Sequence, residues 1–407
     1  MRAELLSVGT ELLLGEIVNT NAQFLSEHLA QLGIDIYYQT VVGDNPRRLK
    51  GVMGDAFSRS DLVITTGGLG PTEDDLTKEI GAEYFERSLD IDEKALSSIE
   101  SFFNKIDRKM EQNNVKQAMV PKGAIILYNE MGTAPGIIIE NENKILVMLP
   151  GPPREMQTMF LKQVKPYLEE KQDSTFVSRV LRVAGVGESS MEMMVRDLID
   201  CQTNPTIAPY AKGAEALLRI TAKAATKEEG YEMIKPVAEE IYKRFGDSIY
   251  AEGETSIQET VAKLLKNKGN TIAVAESLTG GLISSQLVEI PGISNILLEG
   301  IVAYSNEAKI SRLGVKKETL EKYGAVSAET AVEMAKGVAE VLGADIGLAT
   351  TGAAGPDSSE GKPVGLVFIG LFINGKTLVK EMSFSGKRNV IRERGAFYAL
   401  DYLRKNM

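Results

Sequence analysis

Three short segments in the last third of the chain carry hydroxyl, amine and glycine residues in patterns that could support nucleophilic chemistry. They are residues 275–281 (AESLTGG), 302–309 (VAYSNEAK) and 350–356 (TTGAAGP). Ser277 comes at the end of a predicted strand and just before glycines, whose main-chain N–H groups can approach a substrate closely. It could therefore be a nucleophile beside an oxyanion hole. The alternative is that Ser277 caps the N-terminus of a helix.

A serine nucleophile needs a general base, and the composition narrows the choice. The single histidine of the 407 residues, His28, falls in a helical pattern near the N-terminus, where we interpret it as a structural or surface residue. A Ser-His-Asp triad cannot be built from the C-terminal residues, and the sequence has no G-x-S-x-G motif. Lys309 is the other choice, because burial disfavours the charged form of a lysine. Its alternative is a solvated position on a helix.

A second set of candidate residues follows two predicted strands near the N-terminus. Thr10 and Glu11 come after the first strand, and residues 65–77 (TTGGLGPTEDDLT) come after another. Glycines and hydroxyl groups at a strand end can cradle a phosphate, and carboxylates such as Asp74 and Asp75 can hold a hard divalent cation. The two aspartates could instead cap the next helix. The candidates for the phosphate cradle in this segment are Thr66, Gly67, Gly68 and Gly70.

Residues 370–377 (GLFINGKT) match the Walker A pattern, which in nucleotide-binding proteins is followed by a helix. In this chain the pattern is followed by a predicted strand. Asn374-Gly375 is a dipeptide favoured in two-residue hairpin turns. We therefore predict a β-hairpin here rather than an ATP site.

Alternating strands and helices must position the candidate residues. Strands separated by helices predict a parallel sheet with helices on both faces, and ligands bind where such strands end. The predicted strands before the candidate sites are residues 3–8, 62–66, 271–276, 301–304 and 346–351. The predicted helices include residues 21–32, 227–245 and 328–342. We predict an α/β protein with a three-layer domain at 1–170, a small α+β module at 174–250 and an α/β domain at 256–407, the polar residues 251–256 being a linker.

The composition excludes several classes of protein. With 43% hydrophobic and 25% charged residues, the chain has no apolar run near the roughly 20 residues that a membrane span requires. Glu4 and Glu11 lie where a signal peptide would be apolar, and the single cysteine, Cys201, suits a reducing compartment, so we expect a cytoplasmic protein. The formal net charge of −10 opposes binding to nucleic acid, which we do not expect as a partner.

Six segments occur in order in the last third of the chain. They are the three segments described first, with residues 324–331 (GAVSAETA), 362–365 (KPVG) and 384–395 (FSGKRNVIRERG). Together they resemble the C-terminal domain of the CinA family (competence/damage-inducible protein A), which also occurs alone as nicotinamide mononucleotide deamidase. The resemblance implies that Ser277 is the nucleophile and Lys309 the general base, with Tyr304 and Thr351 contributing to the site. It implies no cofactor for this reaction.

The same resemblance implies how the substrate is held. A guanidinium matches two oxygens of a phosphate at once, so Arg388 or Arg392 would engage the phosphate of the nucleotide. The choice between the two arginines is open at this point. The main-chain groups expected at the substrate are those of Thr279, Gly280, Gly281 and Gly352, of which the first three would hold the oxyanion.

Four N-terminal segments form a second group: residues 9–22 (GTELLLGEIVNTNA), 41–45 (VVGDN), 65–77 and 149–156 (LPGPPREM). Together they are similar to the molybdopterin-binding fold as the CinA family carries it. The resemblance implies that Asp44 and Asp75 are functional and, with Asp74, could hold a divalent cation such as Mg²⁺. In this branch the domain is associated with metal-dependent hydrolysis of the pyrophosphate of ADP-ribose. The PGPP segment separates the chain from the adenylyltransferases.

The middle module resembles a KH fold. Its candidate loop, residues 185–188 (GVGE), lacks the G-x-x-G form and carries an acid, so RNA binding is not expected. The resulting hypothesis is a homodimeric, bifunctional enzyme of pyridine-nucleotide salvage that acts on nicotinamide mononucleotide and ADP-ribose. The alternatives are a non-catalytic adaptor in DNA uptake or repair and a molybdopterin-binding protein.

Overall fold

The computed structural model of the protein describes residues 1–172 and 174–407. The chain forms two compact units, one of residues 1–177 with 223–231 and the other of residues 178–222 with 232–407. Within these described ranges, no helix combines the length and the apolar character needed to cross a membrane.

Alternating strands and helices build the first unit. In chain order its elements are β1 (Arg2–Val8), α1 (Thr10–Leu14), α2 (Thr20–Gln31), β2 (Asp35–Val42), α3 (Pro46–Arg59), β3 (Leu62–Thr66), α4 (Thr77–Tyr84), β4 (Leu89–Ile91), α5 (Glu93–Lys105), β5 (Met119–Pro121), β6 (Ile125–Leu127), β7 (Gly136–Asn141), β8 (Lys144–Leu149), α6 (Pro153–Met159) and α7 (Lys165–Glu170). A 3-10 helix covers Gln112–Ala118, and a π-helical turn covers Phe160–Val164. His28 packs against the rings of Phe24 and Phe160, as a structural residue would.

Six strands of this unit form one sheet in the order β2-β1-β3-β8-β7-β6, with the first four parallel and the last two antiparallel. β3 is buried along its whole length, as expected of a central parallel strand covered on both faces. Two apolar clusters cover these faces, one around Phe160 and the other around Phe57. The predicted α/β class is confirmed. β7 is not among the predicted strands; its short run of isoleucines fits a buried strand, but periodicity alone does not distinguish such a run from a buried helical segment.

A small α+β module comes next in the chain. Its elements are β9 (Thr175–Val183), α8 (Glu188–Asp200), β10 (Thr206–Lys212), β11 (Glu215–Ala224), α9 (Lys227–Phe245) and β12 (Ile249–Glu252), with a 3-10 turn at Gly246–Ser248. The strands form one sheet in the order β10-β11-β9-β12. β10 contains Pro209 and is not predicted from the sequence; because it is an edge strand, it tolerates a residue that cannot donate to the ladder.

Residues 251–256, predicted to be a linker, are only partly one. The first two of them belong to β12, which pairs antiparallel with β9. Arg179 donates to both oxygens of Glu252 (2.6 Å each), and Arg182 donates to the Gly253 carbonyl (2.8 Å). Residues 251–256 have a polar composition that is typical of a loop. The first two form a strand because of their contacts with the distant residues of β9.

The C-terminal domain alternates strands and helices again. Its elements are α10 (Ile257–Lys268), β13 (Ile272–Glu276), α11 (Leu282–Val288), β14 (Leu297–Val302), α12 (Asn306–Leu313), α13 (Lys317–Tyr323), α14 (Ala328–Leu342), β15 (Ile346–Gly352), β16 (Leu366–Ile373), β17 (Lys376–Ser383) and α15 (Arg388–Asn406), with a 3-10 turn at Ile293–Asn295. The strand order is β14-β13-β15-β16-β17, and β14, β13 and β15 are parallel. Their carboxyl ends therefore meet at one edge, where the three candidate segments follow them.

Two predictions for this domain have clear outcomes. Asn374 and Gly375 both have positive φ (52° and 72°) and join β16 to β17, so the predicted hairpin is confirmed and the Walker A interpretation is excluded. The strand predicted at 301–304 is wrong in its bounds, because β14 is Leu297–Val302 and Tyr304 lies beyond it. An edge strand with mostly exposed side chains has no buried face to mark its limits in the sequence.

Side-chain caps determine where the helices of this domain begin. Ser256 accepts a hydrogen bond from the Glu259 N–H, and the Glu259 carboxylate accepts one from the Ser256 N–H, which makes a capping box at α10. Ser305 and Ser327 cap α12 and α14. The cap at Ser305 starts α12 immediately after β14, so that Lys309 lies close to the end of the sheet.

Candidate functional site

Ser277 follows β13 directly and begins the turn 277–281, which leads into α11. Its main-chain N–H donates to the Thr350 carbonyl of β15 (2.9 Å), so the residue is fixed at the end of the sheet. The residue at the N-cap of α11 is Gly281. The interpretation of Ser277 as a helix cap is therefore wrong.

Lys309, on α12, reaches back to the same end of the sheet. The residue is 1% exposed. Its Nζ lies 3.3 Å from the Ser277 hydroxyl oxygen, 3.0 Å from the Ala303 carbonyl oxygen and 3.3 Å from the Tyr304 carbonyl oxygen. The alternative of a solvated lysine is wrong, and the two side chains expected to act together are in direct contact.

Two features of the surroundings of Lys309 act on its charge in opposite directions. Burial lowers the pKa of its amine below the ordinary lysine value, and the negative charge of Glu360 opposes part of that shift. A neutral amine has two N–H bonds and one lone pair. The carbonyls of Ala303 and Tyr304 can accept both N–H bonds, which leaves the lone pair for the hydroxyl proton of Ser277. The geometry therefore suits proton transfer from Ser277 to Lys309.

Glu276, the residue before Ser277, organises the turn and is not among the predicted site residues. It is 0% exposed, and its carboxylate accepts hydrogen bonds of 2.7 to 3.0 Å from the N–H groups of Gly281, Ile283 and Ser284 and from the Ser284 hydroxyl. An acid at the end of a buried strand, just before a glycine-rich turn, is the sequence signal for such a role. The prediction that the Gly281 N–H is an oxyanion donor is wrong, because this N–H already donates to the Glu276 carboxylate.

Thr279 and Gly280 are the other predicted oxyanion donors. Within the part of the chain that the structure describes, their main-chain N–H groups have no protein acceptor. Thr279 is buried; its hydroxyl lies 2.8 Å from the Thr350 hydroxyl, and its carbonyl accepts a hydrogen bond from Arg392 (2.9 Å). Arg392 therefore fastens the turn from α15.

Arg388, at the start of α15, lies beside Tyr304. Its guanidinium donates to the Tyr304 hydroxyl (2.9 Å) and to the Gly355 carbonyl (2.5 Å). Both side chains are exposed, whereas Arg392 is only partly exposed and is bound to the turn. Of the two arginines predicted at the phosphate, Arg388 is the more open to a ligand.

Thr351 and Gly352, at the end of β15, are engaged in structural contacts. The Thr351 hydroxyl donates to the Ala325 carbonyl (2.6 Å), and the residue is 1% exposed. A Cβ at position 352 would lie 2.5 Å from the Leu366 carbonyl oxygen, so the pairing of β15 with β16 requires glycine there. These contacts do not support the direct roles at the substrate expected for the two residues.

Most of the N-terminal candidate residues line one cavity of about 400 Å³ at the ends of β1, β3 and β8. Its wall carries five carboxylates and three glycines of the predicted phosphate cradle: Glu11, Asp44, Asp74, Asp75, Glu155, Gly67, Gly68 and Gly70. Thr10 donates its N–H and its hydroxyl to the Asp44 carboxylate (2.9 and 2.8 Å). Glu155, which follows the PGPP segment, is not among the predicted residues.

Asp74 and Asp75 lie on the loop that leads into α4. The Thr72 hydroxyl contacts a carboxylate oxygen of each, and its hydrogen bond holds the pKa of Asp74 below the usual value. The residue at the N-cap of α4 is Leu76, so the interpretation of the aspartates as helix caps is wrong. Lys116 donates to the carbonyls of Thr72 (2.7 Å) and Asp75 (2.5 Å) and thereby holds the loop.

The predicted metal ligands do not form a closed set of donors. Asp44, Asp74 and Asp75 line the same cavity, but among residues 1–172 and 174–407 no three acidic, histidine or cysteine side chains are grouped closely enough to hold a metal ion. The available donors are hard oxygen atoms, which suit Mg²⁺, and Mg²⁺ is commonly held by one or two carboxylates together with water and substrate phosphates. A cation at these carboxylates would therefore need further ligands from water or from a substrate.

A second cavity of about 320 Å³ adjoins the first. Glu11 and Gly151 belong to the walls of both cavities. Asn21 donates through Nδ2 to the Gly151 carbonyl (2.7 Å), and its buried Oδ1 has no partner among the described residues. The second wall is mainly apolar, and it includes Leu12, Ile17, Val18, Thr66, Pro152 and Pro153. Thr66, which is predicted to belong to the phosphate cradle, therefore lines this second cavity, whereas Gly67, Gly68 and Gly70 line the first.

Three family models match successive parts of the chain. Residues 4–170 match the probable molybdopterin binding domain, residues 178–251 match the damage-inducible protein CinA KH domain, and residues 254–407 match the CinA C-terminal domain.

Known proteins are similar over the same length. The chain is 56% identical over 408 residues to a CinA-like protein of Dictyoglomus thermophilum and 54% identical over 406 residues to one of Kosmotoga olearia. The matches cover 100% of this chain and 99% and 98% of these relatives. A crystal structure of the protein CinA from Thermoplasma acidophilum is 35% identical and covers 41% of this chain and 99% of its own, with a TM-score of 0.39. Because its full-length relatives share more than half of its residues, the chain belongs to the CinA family.

Proposed function

We propose that the C-terminal site hydrolyses the carboxamide of nicotinamide mononucleotide to the corresponding acid and ammonia. The observation that carries the proposal is the contact of 3.3 Å between the buried amine of Lys309 and the hydroxyl of Ser277. A serine and an uncharged lysine supply a nucleophile and a base without a histidine. The resemblance of the site segments to the deamidases supports the substrate class.

The reaction divides into two halves. In the first half, Lys309 takes the hydroxyl proton as the Ser277 oxygen attacks the amide carbon, and the N–H groups of Thr279 and Gly280 stabilise the oxyanion. Lys309 then returns the proton to the amide nitrogen, the C–N bond breaks, and ammonia leaves an ester on Ser277. In the second half, Lys309 takes a proton from the water that attacks the ester. That proton passes to the Ser277 oxygen, and nicotinate mononucleotide is released.

Arg388 and Tyr304 suit the rest of the nucleotide. The exposed guanidinium of Arg388 can bind two phosphate oxygens, while Arg392 stays bound to the turn. Tyr304 is 63% exposed, and its ring can offer an aromatic face to the positively charged pyridinium ring of the substrate. We therefore assign the phosphate to Arg388 and the support of the turn to Arg392.

Ammonia release from nicotinamide mononucleotide tests the proposal. The native protein should release ammonia without added metal, and Ser277→Ala and Lys309→Ala should each lose on the order of 10³-fold or more in kcat/KM, since nucleophile and base act as a unit. Ser285→Ala and Lys317→Ala, at exposed positions on α11 and α13, are matched controls with native activity. Activity of Lys309→Ala within roughly ten-fold of native would contradict its role as the base.

We also propose that the N-terminal cavities hydrolyse the pyrophosphate of ADP-ribose. The observation that favours this activity is a carboxylate-lined cavity joined to a mainly apolar one, which suits a pyrophosphate next to a purine nucleoside. Asp44, Asp74 and Asp75 would hold a cation such as Mg²⁺, which when bound lowers the pKa of water and offsets phosphate charge. Thr10 and Lys116 hold these carboxylates and their loop in place.

Product analysis with ADP-ribose tests this second activity. Water should add to one phosphorus and break the P–O–P bond, giving AMP and ribose 5-phosphate, only when a divalent cation is present. Asp75→Asn should lower the rate roughly ten-fold or more because a cation ligand is lost. Asp90→Asn, exposed on β4, is the matched control. Hydrolysis that continues in the presence of a chelator would contradict the proposal that the carboxylates hold a catalytic cation.

The two alternative functions lead to different measurements. An adaptor in DNA uptake or repair would bind single-stranded DNA with a strong dependence on salt, which the net charge of −10 disfavours. A molybdopterin-binding protein would copurify with a fluorescent pterin. If both hydrolytic assays are negative and the protein binds single-stranded DNA or copurifies with a pterin, the corresponding alternative replaces the proposed activities.

A further inference from the structure

Glu276 carries its charge in a place where a charge is costly. The residue is 0% exposed, and a buried carboxylate is stable only when hydrogen bonds or opposite charges replace its hydration. Its four hydrogen bonds come from Gly281, at the end of the turn 277–281, and from Ile283 and Ser284, in the first turn of α11. The carboxylate therefore ties the turn to the helix that follows it.

The turn 277–281 is held at three points along its length. The three contacts are Ser277 N–H with the Thr350 carbonyl, the Thr279 carbonyl with Arg392, and Gly281 N–H with Glu276. Gly280 and Gly281 have φ of 61° and 91°, a region that glycine enters without preferring it. Local preference alone does not maintain this conformation, so the contacts must do so. At the C-terminal end of the turn, that contact is made by Glu276.

We propose that Glu276 is a positioning residue for the oxyanion site of the amide hydrolysis described above, on which this inference rests. By binding the Gly281 N–H, the carboxylate keeps the turn in the conformation that leaves the N–H groups of Thr279 and Gly280 free for a developing anion. Glu276 does not touch the substrate and acts through the main chain. This role explains why a carboxylate is buried beside Ser277, although it is not a partner of Ser277 or Lys309.

The two oxygens of the carboxylate have separate partners, which makes the glutamine variant informative. Oε2 accepts from Gly281 and Ile283, and Oε1 accepts twice from Ser284. Glu276→Gln keeps the shape but has one acceptor atom, so one pair of donors meets an N–H group instead. Glu276→Asp keeps both oxygens with a reach shorter by one methylene. Glu289→Gln, an exposed acid at the other end of α11, is the matched control.

Steady-state kinetics with nicotinamide mononucleotide is the first measurement. We expect Glu276→Gln to lower kcat by about 10²-fold, as loss of an oxyanion donor does, with KM within about three-fold of native. The pH midpoint of kcat should not move, because Lys309 is not a partner of Glu276. Glu276→Asp should recover part of kcat. A kcat within about three-fold of native, or a rise in KM alone, would overturn the proposal. If Glu276→Gln does not fold, Glu276→Asp is compared with Glu289→Gln instead, and a kcat equal to that of this control overturns the proposal.

Labelling by a fluorophosphonate separates this inference from the choice of substrate. The reagent forms a P–O bond with a reactive serine and loses fluoride, and the hydroxyl proton passes to the base. We expect labelling of Ser277 in the native and Glu289→Gln proteins and a rate about 10²-fold lower in Glu276→Gln. A native protein that is labelled but releases no ammonia refutes the substrate alone. Equal rates in the native and Glu276→Gln proteins refute the role of Glu276, and absence of labelling at Ser277 refutes both proposals.

Discussion

The chemistry of the C-terminal site depends on which form of Lys309 is present. An ammonium group cannot accept the proton of Ser277, whereas a neutral amine can. Burial lowers the pKa of Lys309, and the charge of Glu360 acts in the opposite direction. The carbonyls of Ala303 and Tyr304 can bind either form, because both forms carry N–H bonds. The fraction of Lys309 in the form that the proposed mechanism requires therefore increases as pH rises through its pKa.

The pH profile of kcat/KM for ammonia release should show this behaviour. We expect activity to rise with pH to a plateau, with a midpoint below the ordinary lysine pKa. Glu360→Gln removes a charge that favours the ammonium form, so its midpoint should move to lower pH. Asp357→Asn, exposed on the same loop, should leave the midpoint where it is. A midpoint that stays in place or rises in Glu360→Gln would contradict the coupling.

Three parallel strands and the helices that follow them bring the groups of the proposed site together. β13 leads to Ser277, β14 leads to Ala303 and Tyr304, and the cap at Ser305 turns the chain into α12 so that Lys309 faces the end of β13. Because parallel strands end at the same edge, residues distant in the chain become neighbours there. The site is thus a property of the order β14-β13-β15, and no single segment contains it.

The capping box of α10 gives a prediction at the level of one element. Ser256→Ala removes the acceptor of the Glu259 N–H and should lower the free energy of unfolding by about 1 kcal/mol. Urea denaturation would measure the change, with Ser285→Ala as the control at an exposed helix position. Ammonia release at low denaturant should be unaffected, since α10 contributes no residue to the site. Unchanged stability would show that the cap does not hold the start of the helix.

The whole molecule combines two sites of different chemistry in two compact units. The first unit offers carboxylates around a cavity, and the second offers a hydroxyl and a buried amine. The chelator in the ADP-ribose assay therefore acts on only one of the proposed reactions. Both proposed substrates are fragments of NAD, which makes their pairing in one chain chemically coherent. Within the second unit, Tyr250 of the small module packs edge-on against Phe397 of α15 (ring centroids 5.9 Å), so the module shares the core of the C-terminal domain.

The sequence by itself determined much of the fold and indicated Ser277 and Lys309 as candidates for the proposed chemistry. β3, α9 and α14 have the predicted bounds, because helix caps and apolar periodicity act over a few residues and are visible in the chain. Because the C-terminal residues contain no histidine, a lysine is the remaining candidate for a base beside Ser277. The bounds of these elements depend on residue type and local spacing, whereas the roles expected of Ser277 and Lys309 rest on the resemblance to the CinA family.

Only the tertiary structure decided which polar groups are free and which are bound. Ser277 and Lys309 lie 32 positions apart, and their contact exists because two parallel strands end side by side. The Gly281 N–H is bound to Glu276, and the Thr351 hydroxyl is bound to Ala325, in arrangements that no local pattern reveals. A hydrogen bond depends on distance and direction in space, and the burial that lowers the pKa of Lys309 depends on all the elements packed around it.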